Sequence, residues 1–436
     1  MVAAASGKRT KGELAGHHQV QVWREWPRLS EAEIAETAAN GLAQSAAELT
    51  VVTQVAYEGD GPRMGGAMKM TAADAVSVSP YTPILAKLRL FRTHNVAPTT
   101  PLFATERVGL ILPTSLCSSH VSQMLADRMN KLNDETGNYP GLSRVVALPH
   151  TEGCGISAGA SEEMFVRTIL GYAVHPMVAC ATIVEHGCEK CHNDRVAGCL
   201  ADMGRDPTVF GYASVQLDGG IEGANEKIIA HFNKAAPALC AKLPADPSCL
   251  RVGILSATMV PAAVLRALGD LARAITSHGG VAIAAGTVGG ASFFHSLLED
   301  AADGTSSTLG YGQHAMAPGL HTMDTSANNI TENMTGLGAT GVEVIIAYVD
   351  GNCVEPHPFI PVVQIATDPS LKDADVVFDL ASQEAADLDP DAQTQVWCSQ
   401  VLEAVVAAAS RLRLPKLFGT GCSNLQIARG RKGISM

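Results

Sequence analysis

Residues 107–120 read RVGLILPTSLCSSH, an apolar run followed by a turn and by serines that can cap a helix. The same succession recurs at Arg144–Leu148, which precedes His150–Gly155, and at Met177–Val184, which precedes another polar loop. Ser118 is the predicted N-cap of a helix from His120 to about Leu132. Repeated strand, loop and helix predict a parallel sheet with right-handed crossovers.

The alternation resumes after a polar stretch that contains Pro207, Pro237, Pro244 and Pro247. The later predicted elements are strands at Arg251–Ser256, Val281–Ala285, Gly341–Val349 and Val362–Ala366, and helices at Pro261–His278 and Val396–Arg411. We therefore predict an α/β fold with two Rossmann-like parallel-sheet halves, residues 106–245 and 246–436. The N-terminal region, residues 1–105, is poorly defined by its pattern; its predicted elements are a helix ending near Leu49 and a strand at Leu49–Ala56.

Composition narrows the class of protein. Of the 436 residues, 47% are hydrophobic and 17% charged, which argues against disorder over most of the chain. The net charge is −12 and no basic run occurs, so we expect neither nucleic acid nor an anionic membrane as partner. Gly279–Phe294 is too short to cross a membrane, and Met1–His17 lacks the apolar core of a secretory signal. These features predict a cytoplasmic protein; a homo-oligomer stays open.

Cysteines mark three of the predicted strand ends. Cys117, Cys154 and Cys188 each lie in the loop after an apolar run, and such loops converge at one edge of a parallel sheet. Other potential ligands or catalytic groups in these loops are His150, Glu152, His186, Glu189 and His192. Thiolate, imidazole and carboxylate together predict a metal site, and thiolates select iron or zinc over magnesium. The alternative is three unrelated buried thiols beside turns that Gly153, Gly155 and Gly187 allow.

Cys188–His192 also matches C-x-x-C-H, the attachment motif of c-type haem. Covalent haem requires export, for which the sequence shows no signal, so this interpretation is disfavoured. A thioredoxin-like redox pair is the second alternative. Such pairs usually open a helix directly, without a loop rich in His and Glu before them.

Several of these segments resemble the altronate/D-galactarate dehydratase family. The matching segments are HTEGCG at 150–155, RTILGY at 167–172 with His175-Pro176, GCE at 187–189, GLHTMDT at 319–325 with Gly336–Gly341, His357-Pro358 with Pro361–Val363, and Gly430–Met436. The resemblance covers roughly residues 105–436 and is strongest over 144–192. Members of this family remove water from sugar acids and depend on iron, so the resemblance implies a hydro-lyase that gives a 2-keto-3-deoxy acid. Its implied cofactor is Fe²⁺, with Mn²⁺ or an iron–sulfur cluster left open.

The resemblance and the loop positions together assign roles to individual residues. Cys117, Cys154 and Cys188 are the predicted metal ligands, with His192 as a substitute ligand. His150 is the predicted base, since an imidazole pKa near 6.5 suits proton abstraction at neutral pH. Glu189 and Glu152 are the predicted catalytic carboxylates, Glu189 orienting His150 or binding a substrate hydroxyl. The predicted substrate contacts are Thr151, His186, His192, Asn193 and Asp324.

Three loops depart from the family pattern. Arg107–Pro113 lacks the family's Gly-rich loop with an Arg-Asn pair, Ser256–Met259 replaces Gly-Gly-Ser-Asp, and Asp350–Cys353 replaces Gly-Arg-Gly. These loops are expected to hold substrate, so two alternatives stay open. One is a sulfo-lyase that releases sulfite from sulfolactate, as in a sister branch; the other is an inactive member that serves as a binding subunit.

Overall fold

The computed structural model describes residues 79–93, 103–155, 159–256, 258–285, 307–325, 327, 329–378, 389–421 and 425–429. The helix and strand predicted before Ala56 lie outside these residues. The described chain opens with a short helix, α1 (Thr82–Leu85), and the strands β1 (Arg89–Arg92) and β2 (Phe103–Ala104). Within the described residues, no helix is long and apolar enough to span a membrane.

The first large sheet is parallel and lies in the first half of the predicted fold. Its strands are β3 (Val108–Pro113), β4 (Arg144–Ala147), β5 (Val178–Glu185) and β6 (Gly211–Ser214), in the order β4-β3-β5-β6. The helices that connect or follow them are α2 (Leu116–Thr136), α3 (Ala160–Ala173), α4 (Asn193–Asp202) and α5 (Ile221–Ala235). The order of the strands places the ends of β4, β3 and β5 side by side.

The start of α2 differs from the prediction. Ser115, rather than Ser118, is the N-cap, and its Oγ accepts a hydrogen bond from the Ser118 N–H at 3.3 Å. In return, the Ser115 N–H donates to Ser118 Oγ at 3.1 Å, which completes a capping box. The sequence offers serines at both positions, and the loop geometry selects the earlier one. Cys117 therefore lies in the first turn of α2.

The second large sheet is also parallel, as predicted. Its strands are β8 (Arg251–Ser256), β9 (Val281–Ala285), β10 (Ser307–Leu309), β11 (Gly319–Met323), β12 (Val344–Tyr348), β13 (Val362–Ala366) and β14 (Val376–Val377), after a short β7 (Leu243–Pro244). Their order is β10-β11-β9-β8-β12-β13-β14. The helices are α6 (Ala262–Thr276), α7 (Ile330–Ala339) and α8 (Pro390–Ala409). The predicted α/β class with parallel sheets is confirmed; the boundaries of the domains stay a prediction.

A third, small sheet was not predicted. Strand β1 pairs antiparallel with both β2 and β7. The end of the first half, at β7, is therefore hydrogen-bonded to β1, which precedes that half in the chain. The two- to four-residue strands give no alternating pattern in the sequence. Their pairing depends on the large sheets that bring them together.

The two large sheets share a continuous apolar core. One cluster of buried side chains contains Leu110 and Ile183 of the first sheet together with Leu255 and Ile345 of the second. Helices α3 and α7 pack closely where a Cβ on Gly171 would lie 2.3 Å from the backbone oxygen of Ala339. The halves are therefore held in a defined relative position.

Buried histidines at this junction predict an effect of pH on stability. His357 is 1% exposed, and its Nε2–H donates to the hydroxyl oxygen of Tyr172, which itself donates to Thr335 O. Burial, with a smaller effect of the Arg144 charge, lowers the pKa of His357 to about 3. The unfolded chain binds a proton near pH 6.5 and the folded chain does not, so this histidine destabilises the fold as pH falls below 6.5. At pH 5 we expect a loss of about 2 kcal/mol from this group.

The measurement is chemical unfolding at pH 7.5 and pH 5.0 for the native chain and for His357→Gln. Burial raises the pKa of Glu343 to about 7, so this carboxyl group stabilises the fold as pH falls and opposes the effect of His357. The contribution of His357 is therefore the difference between the native chain and the variant in how the free energy of unfolding changes with pH. Between pH 7.5 and pH 5.0, His357→Gln should lose about 2 kcal/mol less of its free energy of unfolding than the native chain does. The exposed control His120→Gln should lose as much as the native chain. Equal slopes for native and His357→Gln proteins would contradict the assignment.

Candidate active site

The segments that follow β3, β4 and β5, here called the cysteine loops, meet at the carboxyl edge of the first large sheet. Cys117, Cys154 and Cys188 follow β3, β4 and β5, and all three are exposed free thiols. The Sγ atoms of Cys117 and Cys154 are 3.7 Å apart. A disulfide would require about 2.05 Å, whereas two thiolates on one tetrahedral ion with bonds of about 2.3 Å lie about 3.8 Å apart. The spacing of this pair fits a shared metal ion.

Cys188 lies on the third loop beside this pair. The hydrogen bond with Cys117 is the main reason why the pKa of Cys154 is raised; burial and the charges of Cys117, Cys188 and Glu189 raise it further. The Cys188 Sγ is 3.5 Å from His186 Nδ1. Among the residues that the structure describes, no three His, Cys, Asp or Glu side chains form a complete metal-binding group. The arrangement thus places two sulfurs at the spacing of ligands on one metal ion.

The side chain of Glu189 bridges the loops that follow β3 and β5 through hydrogen bonds. The buried carboxylate accepts hydrogen bonds from Thr114 Oγ1 at 2.8 Å, Ser115 Oγ at 3.0 Å and the backbone N–H groups of His186 and Gly187 at 2.7 and 2.6 Å. Burial alone would raise the pKa of Glu189, but these hydrogen bonds outweigh it and lower the pKa. The side chain stays ionised and fully engaged, which favours positioning over proton transfer.

Glu189→Gln is expected to loosen these loops. An amide keeps one acceptor oxygen and presents an NH₂ group where the carboxylate accepts, so we expect a loss of about 1–3 kcal/mol in the free energy of unfolding. The predicted metal site at Cys117 and Cys154 should also bind Fe²⁺ more weakly. Urea unfolding and metal titration measure the two effects. The exposed Glu163→Gln is the matched control, and a Glu189→Gln chain with native stability and metal affinity would contradict the role.

His150 is also engaged within the fold. Its Nε2 lies 3.0 Å from the carbonyl oxygen of Pro113, and its Nδ1 accepts from the Glu152 N–H at 3.2 Å. The carbonyl can only accept, so Nε2 carries the proton and the ring is neutral. Burial lowers the pKa of His150. Both nitrogens are occupied, so the geometry favours a positioning role over the predicted role as base.

Glu152 binds a residue from the far end of the chain. The buried carboxylate accepts from Arg429 Nε at 3.0 Å and from Nη2 at 2.8 Å, a bidentate pair. The Arg429 side chain is 60% exposed, whereas that of Glu152 is 8% exposed. Glu332 in the first turn of α7 is close enough that Arg429 lowers and Glu152 raises its pKa, although burial is the larger effect and the net pKa is raised. A fixed guanidinium thus faces solvent beside the cysteine loops.

These loops belong to a stretch that matches a known family. Residues 105–239 match the family model described as D-galactarate dehydratase/altronate hydrolase, second domain. Residues 105–239 are therefore similar to the second domain of this family. We call them the family domain; it contains all three cysteine loops. The resemblance is confirmed over the family domain, and over residues 240–436 it stays a prediction.

The solved structures are much more distant. The glycosyl transferase family 9 from Veillonella parvula DSM 2008 is 8% identical over 71% of this chain and 97% of that chain, with a TM-score of 0.19. E. coli ADP-heptose lps heptosyltransferase II is 12% identical over 69% and 98%, with a TM-score of 0.22. Acinetobacter baumannii MurG is 9% identical over 70% and 95%, with a TM-score of 0.19. TM-scores this low support no functional conclusion. No curated protein matches the chain.

The C-x-x-C-H motif in the family domain is divided by the fold. Cys188 is exposed, but Cys191 is 1% exposed and packs in the apolar core, where burial raises its pKa to about 12. His192 is exposed at the N-cap of α4. The two thiols therefore do not present one accessible pair, which disfavours both haem attachment and a thioredoxin-like role.

The remaining predicted substrate-binding residues do not lie together in the fold. Thr151 is exposed and donates to Glu152 Oε1 at 3.2 Å. Asn193 Nδ2 donates to Ala213 O at 3.0 Å, so this side chain joins α4 to β6. Asp324 is exposed at the carboxyl end of β11 in the second sheet. Their roles toward a substrate stay predictions.

Arg429 was not among the predicted site residues. It lies outside the family domain, in a Gly-, Ser- and Arg-rich tail, directly before the matching segment Gly430–Met436. A guanidinium in such a tail is ordinarily solvated. The guanidinium of Arg429 is placed at the site by its hydrogen bonds to the buried carboxylate of Glu152.

Proposed function

We propose that the protein is a metal-dependent hydro-lyase that removes water from a sugar acid and gives a 2-keto-3-deoxy acid. The observation that carries the proposal is the 3.7 Å spacing of the Cys117 and Cys154 sulfurs within the family domain. Cys117 and Cys154 would hold Fe²⁺, with Cys188 as the nearest further thiolate. Bound iron would supply a Lewis acid toward the substrate carboxylate, which makes the proton on the adjacent carbon more acidic.

The other groups of the site bind substrate and move the proton. The exposed guanidinium of Arg429 binds a substrate carboxylate, because its planar fork suits that group and Glu152 fixes its orientation. We assign His186 as the base in place of His150, since His186 is half-buried beside Cys188 and His150 uses both ring nitrogens in the fold. His186 takes the proton from C2 and returns it to the hydroxyl that leaves C3. The products are water and an enol, which becomes the 2-keto acid.

The test is a substrate screen on the full chain purified without oxygen and loaded with Fe²⁺. Aldonates and aldarates are supplied singly, and 2-keto acid formation is followed with semicarbazide. We expect turnover of at least one sugar acid, dependent on iron. No product across the panel would overturn the proposal, and sulfite release from sulfolactate would replace it with the sulfo-lyase alternative. A stable, metal-free and inactive chain would favour the binding subunit.

The assignment of the base has its own test. In His186→Gln, we expect kcat to fall by roughly 100-fold or more, because general base catalysis contributes about that factor, with iron content unchanged. His150→Gln should instead lower stability and leave the pH profile of the remaining activity unshifted. The reverse pattern would restore His150 as the base.

Arg429→Gln is expected to weaken substrate binding. Loss of a charge-assisted pair costs about 1.5–3 kcal/mol, which predicts a KM higher by roughly 10- to 100-fold. The iron content should not change, because the guanidinium is not a ligand. Steady-state kinetics measure the effect, with Arg128→Gln as control, since that arginine pairs on the surface with Glu222. An unchanged KM would remove Arg429 from the site.

A further inference from the structure

The Cys117–Cys154 pair has a geometry that suits a second kind of chemistry. Both thiols are exposed, and their sulfurs are 3.7 Å apart. The two loops are also joined through the backbone, since the Leu116 N–H donates to Glu152 O at 2.9 Å. The approach is so close that a Cβ on Gly153, whose φ is +97°, would lie 2.2 Å from Thr114 O. Two tethered backbones thus hold the thiols next to each other.

We propose that Cys117 and Cys154 form a reversible disulfide when the site holds no metal. The sulfurs need to approach by roughly 1.7 Å to reach the S–S bond length of about 2.05 Å, a distance within reach of side-chain rotation. The oxidant class is a peroxide. One thiolate attacks hydrogen peroxide, so an S–O bond forms, the O–O bond breaks and hydroxide leaves. The second thiolate attacks this sulfenic sulfur, the S–S bond forms, and the second oxygen leaves as hydroxide; the two protons released when the thiols ionise convert both hydroxides to water.

The reaction balances as two thiols plus one peroxide giving one disulfide plus two waters. A dithiol reverses it by exchange. The same sulfurs cannot be thiolate ligands and a disulfide at once, so the oxidised pair excludes the metal. The proposal of the disulfide depends only on the geometry of the two cysteines. That the oxidised chain would lose its activity, because it cannot hold the metal, rests on the proposed function.

Burial protects three of the other thiols from oxidation. Cys180, Cys191 and Cys398 are buried, and burial raises the pKa of each to about 12. Such thiols are poor nucleophiles because little thiolate is present. Cys188 is exposed, but its described contact is with His186 rather than with a sulfur of the pair.

The test uses the full chain freed of metal with a chelator and exposed to stoichiometric hydrogen peroxide. Free thiols are blocked with iodoacetamide, disulfides are then reduced and labelled with N-ethylmaleimide, and peptides are identified by mass spectrometry. We expect the second label on Cys117 and Cys154 together, reversed by dithiothreitol. Cys188→Ser should keep this disulfide, and Cys154→Ser should replace it with a sulfenic acid that dimedone traps on Cys117.

Two results would overturn the proposal: a disulfide that consistently includes Cys188, or oxidation of the pair to sulfinic acid without a disulfide. Preloading the chain with Zn²⁺ alone should slow formation of the disulfide at least tenfold. An undiminished rate with bound Zn²⁺ would overturn the exclusion of metal by the disulfide. None of these readouts needs catalytic activity, so failure of the proposed function and failure of the disulfide are distinguishable.

Discussion

Under the proposed function, Cys154→Ser is expected to abolish stoichiometric iron binding and to lower kcat/KM for dehydration by on the order of 1,000-fold, because a Lewis-acid metal supplies several kcal/mol of transition-state stabilisation. Cys117→Ser should have the same effect, since the two sulfurs stand at the spacing of ligands on one ion. The double variant should be no worse than either single one, because one lost ligand already removes the site.

The measurements are metal content after anaerobic loading and steady-state kinetics on the substrate found by the screen. Cys249→Ser is the control, because this half-buried thiol lies in a 3₁₀ turn of the second half. It should retain both iron and activity. A Cys154→Ser protein with full iron content and full activity would show that the pair does not hold the metal.

Glu106→Gln is expected to lower the free energy of unfolding by about 3–5 kcal/mol, the usual cost of leaving a buried charge without its partner. The Glu106 carboxylate is buried and accepts from Arg144 Nε at 2.9 Å and from Arg411 Nη2 at 2.5 Å. Arg144 also donates to the backbone oxygens of Pro358 and Phe359. The network therefore joins the first sheet, the approach to β13 and the segment after α8, and the variant would leave two guanidinium groups poorly paired.

Acid should remove the same stabilisation. Burial alone would raise the pKa of Glu106, but the charges of Arg144 and Arg411 outweigh it and lower the pKa to about 2. The folded state holds the carboxylate ionised, so its stabilisation is present above pH 4.5 and is lost as pH falls toward 2. Unfolding in guanidinium chloride at pH 7 measures the cost of the variant. The exposed Glu135→Gln is the control and should change stability by less than about 1 kcal/mol; a similarly small loss for Glu106→Gln would contradict the network's importance.

The sequence predicted the central strands well. The bounds of β8, β9 and β13 agree with the prediction, because each is a mostly apolar run that is buried on both faces of a parallel sheet. The polar stretch between the halves was predicted poorly. It contains α4, β6 and α5, and α5 buries a single face through Ala224, Ile228 and Phe232. The prolines around it obscured that short amphipathic pattern.

The sequence by itself determined that three cysteines follow three strands of one parallel sheet, because the end of an apolar run is a local property of the chain. The roles of their neighbours were decided by the tertiary structure. His150 has both ring nitrogens occupied by backbone partners, Glu189 receives four hydrogen bonds from two loops, and Glu152 binds Arg429 across 277 positions. Proton transfer and charge pairing depend on which groups meet in space. No local pattern contains a partner that lies hundreds of residues away.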